Sequence, residues 1–173
     1  MMREALESLI RNVPDFPKPG IQFKDITPLL QNAEAMKSVV DEMARVAKPL
    51  GVEVVAGIES RGFLFGVPLA MALGLPFVPV RKPGKLPYET AGIEYELEYG
   101  TDRLELHTDA VAPGQRVIIV DDLLATGGTA NATANLVRQV GGTPVGLMVL
   151  IELSFLGGAA KLGSLPVHAQ LKY

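Results

Sequence analysis

Apolar positions along the chain change period several times, and each change marks an element. In "MMREALESLIRNV", Leu6, Leu9, Ile10 and Val13 recur at helical spacing and predict an amphipathic surface helix. Pro14, Pro17 and Pro19 then forbid regular helix across "VPDFPKPGIQFKDITPLL", which reads as an extended strap. Residues 33–49 return to helical period, with Met36, Val39, Val40, Met43 and Val46 on one face. An alternation follows: "VEVVAGI" as strand, "RGFLFGVPLAMAL" as helix, "PFVPVRK" as strand, "RVIIVDD" as strand, "TANATANLVRQV" as helix and "PVGLMVLIEL" as strand. Strands and helices at this spacing imply βαβ units and a parallel sheet, with right-handed crossovers gathering the strand ends on one face. One insertion breaks the rhythm. After the polar loop "RKPGKLPYETAG", "YELEYGTDRLELH" alternates with period two and predicts a hairpin turning at "GTD". A lone hairpin is marginal in water, so a mobile cover is expected, although it could instead extend the sheet.

The bulk numbers narrow the functional classes. With 173 residues, one domain with a substantial core is expected. A net charge of −3 leaves no basic footprint for nucleic acid or an anionic membrane. The absence of cysteine excludes disulfides and thiolate chemistry, and two histidines, His107 and His168, are too few for a multi-histidine metal site. Glu4 and Glu7 interrupt any signal-peptide core, and "VGLMVLIEL" is too short to cross a bilayer, so a cytoplasmic chain is expected.

The stretch "VIIVDDLLATGGTANATANLV" carries the chemistry. A buried parallel strand runs into Asp121 and Asp122, then into the loop Ala125, Thr126, Gly127, Gly128 and Thr129, then into a helix beginning near Thr129. Free N–H groups and the helix dipole point together at such a corner, so an anion is expected there. No G-x-x-x-x-G-K-[ST] occurs, and the carboxylates precede the loop instead of following it by some twenty residues, so neither a Walker A nor a dinucleotide fingerprint is present. Two ionised carboxylates suit vicinal hydroxyls, and a phosphate cradle a few residues later would hold the 5′ end of the same sugar. A ribose 5-phosphate unit is implied. An acidic strand end capped by an ordinary glycine turn would explain either half alone.

This corner, "VIIVDDLLATGGT", resembles the phosphoribosyl-pyrophosphate signature of the type I phosphoribosyltransferases. The blocks "DFPKPGIQFKDITPLL", "AGIESRGFLFGVPLA", "RKPGKLP" and "YELEYGTDRLELHTDAVAPGQRV" look like the adenine phosphoribosyltransferases, in the same order. The resemblance implies an α/β fold with a central, mostly parallel sheet flanked by helices, a small hood and a mobile hairpin loop. Residues 1–173 would form one domain, with 1–32 as helix and base-binding strap and 81–107 as the mobile segment. The implied reaction joins adenine to phosphoribosyl pyrophosphate, giving AMP and pyrophosphate, in a homodimer that uses Mg²⁺.

Roles follow from the resemblance residue by residue. Asp121 and Asp122 would hold the ribose, directly or through a metal, and Ala125 to Thr129 the 5′-phosphate. Glu59, Ser60 and Arg61 would meet the pyrophosphate through a turn with a non-proline cis peptide near Glu59–Ser60. Arg81, Lys82 and Lys85 would join them, partly from the neighbouring subunit. Main-chain groups of Gln22, Phe23 and Lys24 would read adenine, with apolar packing from Phe23 and Leu123. Mg²⁺ would ride mainly on the substrate's phosphate oxygens. Arg61, Glu98 and Tyr99 would be the catalytic set, with Glu98 handling the purine proton. Glu94 and Glu96 share its alternation, and spacing alone does not choose among the three. Two other readings stay open: transfer to hypoxanthine, guanine, xanthine or orotate, and a ligand-sensing regulator on the same fold.

Overall fold

The computed structural model describes residues 3–96 and 100–173. Glu98 and Tyr99 therefore lie outside the described residues. Five strands form one parallel sheet: β3 (Val54–Ile58), β4 (Phe77–Val80), β7 (Arg116–Leu124), β8 (Thr143–Glu152) and β9 (Val167–Lys172), in the order β4-β3-β7-β8-β9. Two small antiparallel pairs stand apart from it: β1 (Arg11–Pro14) with β2 (Gln22–Asp25), and β5 (Thr90–Glu96) with β6 (Thr101–His107).

Both faces of the sheet are covered, which is why its strands read as unbroken apolar runs. On one face Val55, Ile118, Val120, Met148 and Leu150 pack with the buried stripe of α3 (Ala33–Ala47), including Val39 and Met43, and with Phe65 and Leu69 of α4 (Gly62–Leu73). On the other, Val54, Ala56 and Val117 meet Ala132, Leu136 and Val137 of α5 (Gly128–Gln139). Each strand thus sends alternate residues to opposite layers. The chain leaves β3 toward β4 on one side, and later leaves β7 toward β8 and β9 on the other. The crevice at the carboxyl ends of β3 and β7 is therefore the point where strand order reverses, the place such sheets bind ligands.

Several expectations need correction. The first helix, α1 (Arg3–Glu7), stops early, and Val13 lies on β1. Its tertiary partner is the proline strap, and ladder pairing of Val13 with Phe23 overrides the helical spacing. The strap also holds a short helix, α2 (Thr27–Leu30), with Pro28 in its first turn, where a missing N–H costs nothing. The last three residues of the "RKPGKLPYETAG" loop are already strand, since β5 begins at Thr90. The hairpin neither extends the main sheet nor stands free of the body: Leu104 and Leu106 are fully buried, and Arg81 and Glu105 exchange backbone hydrogen bonds at its root. Finally β9 adds a parallel edge strand from a segment of mixed polarity.

Candidate active site

β7 runs on through Leu124, so Asp121 and Asp122 sit within its last turns of pleat and not beyond its end. Successive residues of a strand face opposite ways. The Asp122 carboxylate is nearly buried at 6% exposure and accepts a hydrogen bond from Arg61 Nε at 2.5 Å. Asp121 Oδ1 accepts the Asp122 backbone N–H at 2.8 Å. Desolvation, and secondly the charge of Asp122, push the Asp121 carboxyl well above the usual carboxylate range against the pull of Arg61. Two adjacent carboxylates low in one cleft do not both ionise readily.

Arg61 ends the turn that follows β3 and stands at the N-cap of α4. Gly62 explains how that helix comes so close to β7: a Cβ there would lie 2.6 Å from the Val120 carbonyl oxygen. The Glu59–Ser60 peptide is cis, as the resemblance implied. Arg61 also lies over the Phe23 ring, 6.0 Å from its centre, which ties the carboxylate corner to the strap.

The loop after β7 enters α5 at Gly127, whose φ of 82° favours glycine. The first turn of α5 leaves its N–H groups without intrahelical partners. Arg61, Asp121, Asp122, Leu123 and residues 125–129 line one cleft of about 190 Å³. A larger groove of about 460 Å³ lies between α1, α3 and β9 and holds none of the predicted residues.

The basic residues gather beside this cleft through carboxylates. Glu59 accepts from Arg81 Nε at 3.3 Å, from the Lys82 backbone N–H at 2.8 Å, and from the Lys85 ammonium. Burial works to raise the Glu59 carboxyl, but Lys85, the Lys82 N–H and Arg81 together bring it below its usual range. Lys82 Nζ is paired with Asp102 on β6. Every cation expected at the pyrophosphate thus holds a carboxylate partner.

Of the residues predicted to read adenine, Gln22, Phe23 and Lys24 lie on β2 and Leu123 on β7. Phe23 is half-buried and packs edge-on to Phe16, and Gln22 is exposed. Lys24 turns away from the cleft: its ammonium donates to Asn12 at 2.7 Å and lies 3.7 Å from the centre of the Tyr173 ring. Leu123 is half-buried between cleft and core.

Two supports were missed at the level of sequence. Gly158 lies in the short helical segment after β8 and presses its backbone against the loop. A Cβ on it would lie 2.9 Å from Gly127 N and closer still to the Ala125 carbonyl oxygen. "FLGGAA" carried a glycine pair as a signal, but not its partner thirty residues away. Tyr95 and Asp102 were the other omission; they face each other across the hairpin, and only the register brings them to Lys82.

A carboxylate pair near a strand end, a glycine helix entrance and Arg61 in one cleft, with a cis peptide just before Arg61, narrow the comparison with known proteins. Residues 24–154 match the family model of the phosphoribosyl transferase domain. The chain is 56% identical over 168 residues, 97% of its own length and 99% of the relative's, to an adenine phosphoribosyltransferase of Alkaliphilus metalliredigens. Its structure superposes with TM-score 0.96 on the adenine phosphoribosyltransferase of Thermoanaerobacter pseudethanolicus, at 53% identity over 99% of this chain and 100% of that one. The yeast enzyme, solved with an imino-altritol bisphosphate and adenine, gives TM-score 0.92 at 40% identity over 98% of each chain. The family model covers most of the chain and the relatives match it end to end, so the chain belongs to the adenine phosphoribosyltransferases.

Proposed function

We propose that this protein transfers the 5-phosphoribosyl group from phosphoribosyl pyrophosphate to adenine, giving AMP and pyrophosphate in purine salvage. The observation that carries the reading is the single cleft holding Asp121, Asp122 and the loop 125–129 beside Arg61. Its two ends match the two ends of a ribose 5-phosphate.

In the reaction the bond from C1 to the pyrophosphate oxygen breaks as a purine ring nitrogen bonds to C1, through a transition state with oxocarbenium character. Asp122, fixed by Arg61, and Asp121 grip the ribose hydroxyls. The N–H groups of residues 125–129 hold the phosphate, so the anomeric carbon is positioned from both sides. Glu59 and Ser60 form the pyrophosphate turn, with Arg81, Lys82 and Lys85 next to it. The strap 1–32 serves as hood, reading adenine through the main chain of Gln22, Phe23 and Lys24 with Leu123 beneath. Glu98, with Tyr99, takes the proton the purine loses; the segment 81–107 covers the site.

Magnesium fits the donors present. The cations around the pyrophosphate corner are already paired, so the corner brings little surplus positive charge to a polyanion. Among the described residues no group of three or more His, Asp or Glu is placed to cage a metal. Asp121 and Asp122 are suited to hold Mg²⁺ through water while phosphate oxygens supply the rest, the ion's charge favouring the ionised form of Asp121 against its burial. When bound, the ion would offset charge on the departing pyrophosphate.

A homodimer completes the reading. The α4 sequence GFLFGVPLAMAL has no charged side chain, and Leu64, Val67 and Met71 are exposed at 41%, 39% and 77%. Such a contiguous apolar face fits a second copy of the chain. Met71→Asp is expected to yield monomers by sedimentation. No described helix is long and apolar enough to cross a membrane, and the net charge of −3 speaks against a nucleic-acid partner. A cytoplasmic setting belongs to the same reading.

The test is pyrophosphate release from phosphoribosyl pyrophosphate and Mg²⁺ with a panel of bases. Adenine is expected to be turned over and guanine, hypoxanthine, xanthine and orotate not. Equal turnover of guanine would overturn the adenine assignment. Ligand binding with no pyrophosphate from any base would favour the sensing regulator.

A further inference from the structure

Lys82 is held more firmly than a loop lysine needs to be. Its backbone N–H is fixed on Glu59, and its ammonium meets Asp102 Oδ2 and the Tyr95 hydroxyl, the latter at 3.4 Å. Asp102 is held in turn: Tyr95 Oη donates to Oδ2 at 3.2 Å, and the Arg103 N–H to Oδ1 at 2.8 Å. Tyr95 and Asp102 are direct cross-strand partners, so the register of the hairpin builds this receptor. The same Tyr95 hydroxyl accepts from Thr129 at 3.3 Å, at the edge of the phosphate loop. Lys82 and Asp102 are about one-third exposed, so water and ions reach the pair.

An ammonium committed to one carboxylate is withheld from any other anion. Affinity for an incoming anion falls by the fraction of time the cation is free. We propose that Asp102 is a counter-ion latch for Lys82: it holds the ammonium beside the pyrophosphate subsite, yields it when pyrophosphate binds, and reclaims it as pyrophosphate leaves. Asp102 is a positioning residue that acts only through Lys82. Other carboxylates do not substitute for it, since Glu59 takes the Lys82 backbone and gives its carboxylate oxygens to Arg81 and Lys85 as well. Burial pushes Asp102 up and Lys82 down, yet their mutual pairing together with Tyr95 and, for Asp102, the Arg103 N–H outweighs it, so each stays charged near neutrality. The latch rests on the reading of Lys82 as a pyrophosphate ligand.

Calorimetric titration of the whole protein with pyrophosphate and Mg²⁺ at low salt tests it. Asp102→Asn is expected to tighten pyrophosphate binding by on the order of 3- to 10-fold. Asp102→Glu should keep the wild-type affinity. In a Lys82→Met background, Asp102→Asn should change nothing, and AMP affinity should stay within about twofold throughout, because AMP does not use Lys82. Unchanged or weaker pyrophosphate binding in Asp102→Asn, with Lys82→Met weaker than wild type, overturns the latch and leaves the reading of Lys82 intact. An equal gain in the Lys82→Met background also overturns it, since the effect would then be a general loss of negative charge. If Lys82→Met binds pyrophosphate as wild type does, the assignment of Lys82 and the latch fall together.

Discussion

The two corners proposed to hold the substrate's anions are built on opposite plans. The phosphate corner is contiguous, residues 125–129, and consists of small residues, backbone N–H groups and the start of α5. The pyrophosphate corner is assembled from a turn after β3, a loop after β4 and the hairpin, and it works through long charged side chains. Backbone donors carry no net charge, so the first corner can stand ready without counter-ions. Four cations crowded in the second would repel one another, and three carboxylates that folding brings alongside hold them, Glu59 serving both Arg81 and Lys85. On this reading one corner is prepared by shape and the other by ion pairing.

The sharpest way to break that contrast is to fill the space under the phosphate corner. Gly158→Ala drives a methyl group into the backbone of Ala125 and Gly127. Overpacking of about 3 kcal/mol falls on the loop, and AMP affinity should drop about 100-fold while the pyrophosphate corner is spared. Titration with AMP and with pyrophosphate separately checks the split; equal loss of both would mean that the corners are not independent.

Asp122→Asn comes next. It removes one acceptor from the ribose and the anchor of Arg61, and loss of a charged hydrogen bond costs about 1.5–2 kcal/mol, or roughly 10- to 30-fold in kcat/KM for phosphoribosyl pyrophosphate. Steady-state kinetics with saturating adenine measures it.

A smaller effect concerns the carboxylate pair. The Asp121 carboxyl is raised in the fold, so the folded state binds a proton more readily than the unfolded chain. Stability from this group is present near pH 4 and is lost as the pH rises through the raised value. Asp121→Asn should therefore melt higher than wild type at pH 7 without ligand, with the gap closing toward about pH 4. A gap independent of pH would point to packing instead of charge.

The smallest change is expected at Lys24, whose side chain leaves the cleft for Asn12 and Tyr173. Lys24→Ala should cost no more than about 0.5 kcal/mol, so KM for adenine stays within roughly twofold. A large rise would show that the strap reads the base through this side chain.

Legibility in the sequence followed the same division. The order of strand, carboxylates, glycine loop and helix start from Asp121 to Thr129 could be read directly because all four lie in one run. The parallel sheet could be read because both of its faces are buried, leaving apolar runs at regular intervals. The beginning of the chain misled: Val13 fits a helical stripe, but a four-residue ladder with β2 claims it. The edge strand β9 gave little warning, since His168 and Gln170 interrupt its apolar positions.

What the sequence determined by itself was the chemistry that is local: which backbone donors meet at the entrance of α5 and which carboxylates precede them. Tertiary structure decided everything that depends on distance across the chain. It set Arg61 on Asp122, Lys82 on Asp102 and Gly158 beneath Gly127, because pairings separated by tens of residues are fixed only when strand order and hairpin register bring their segments together.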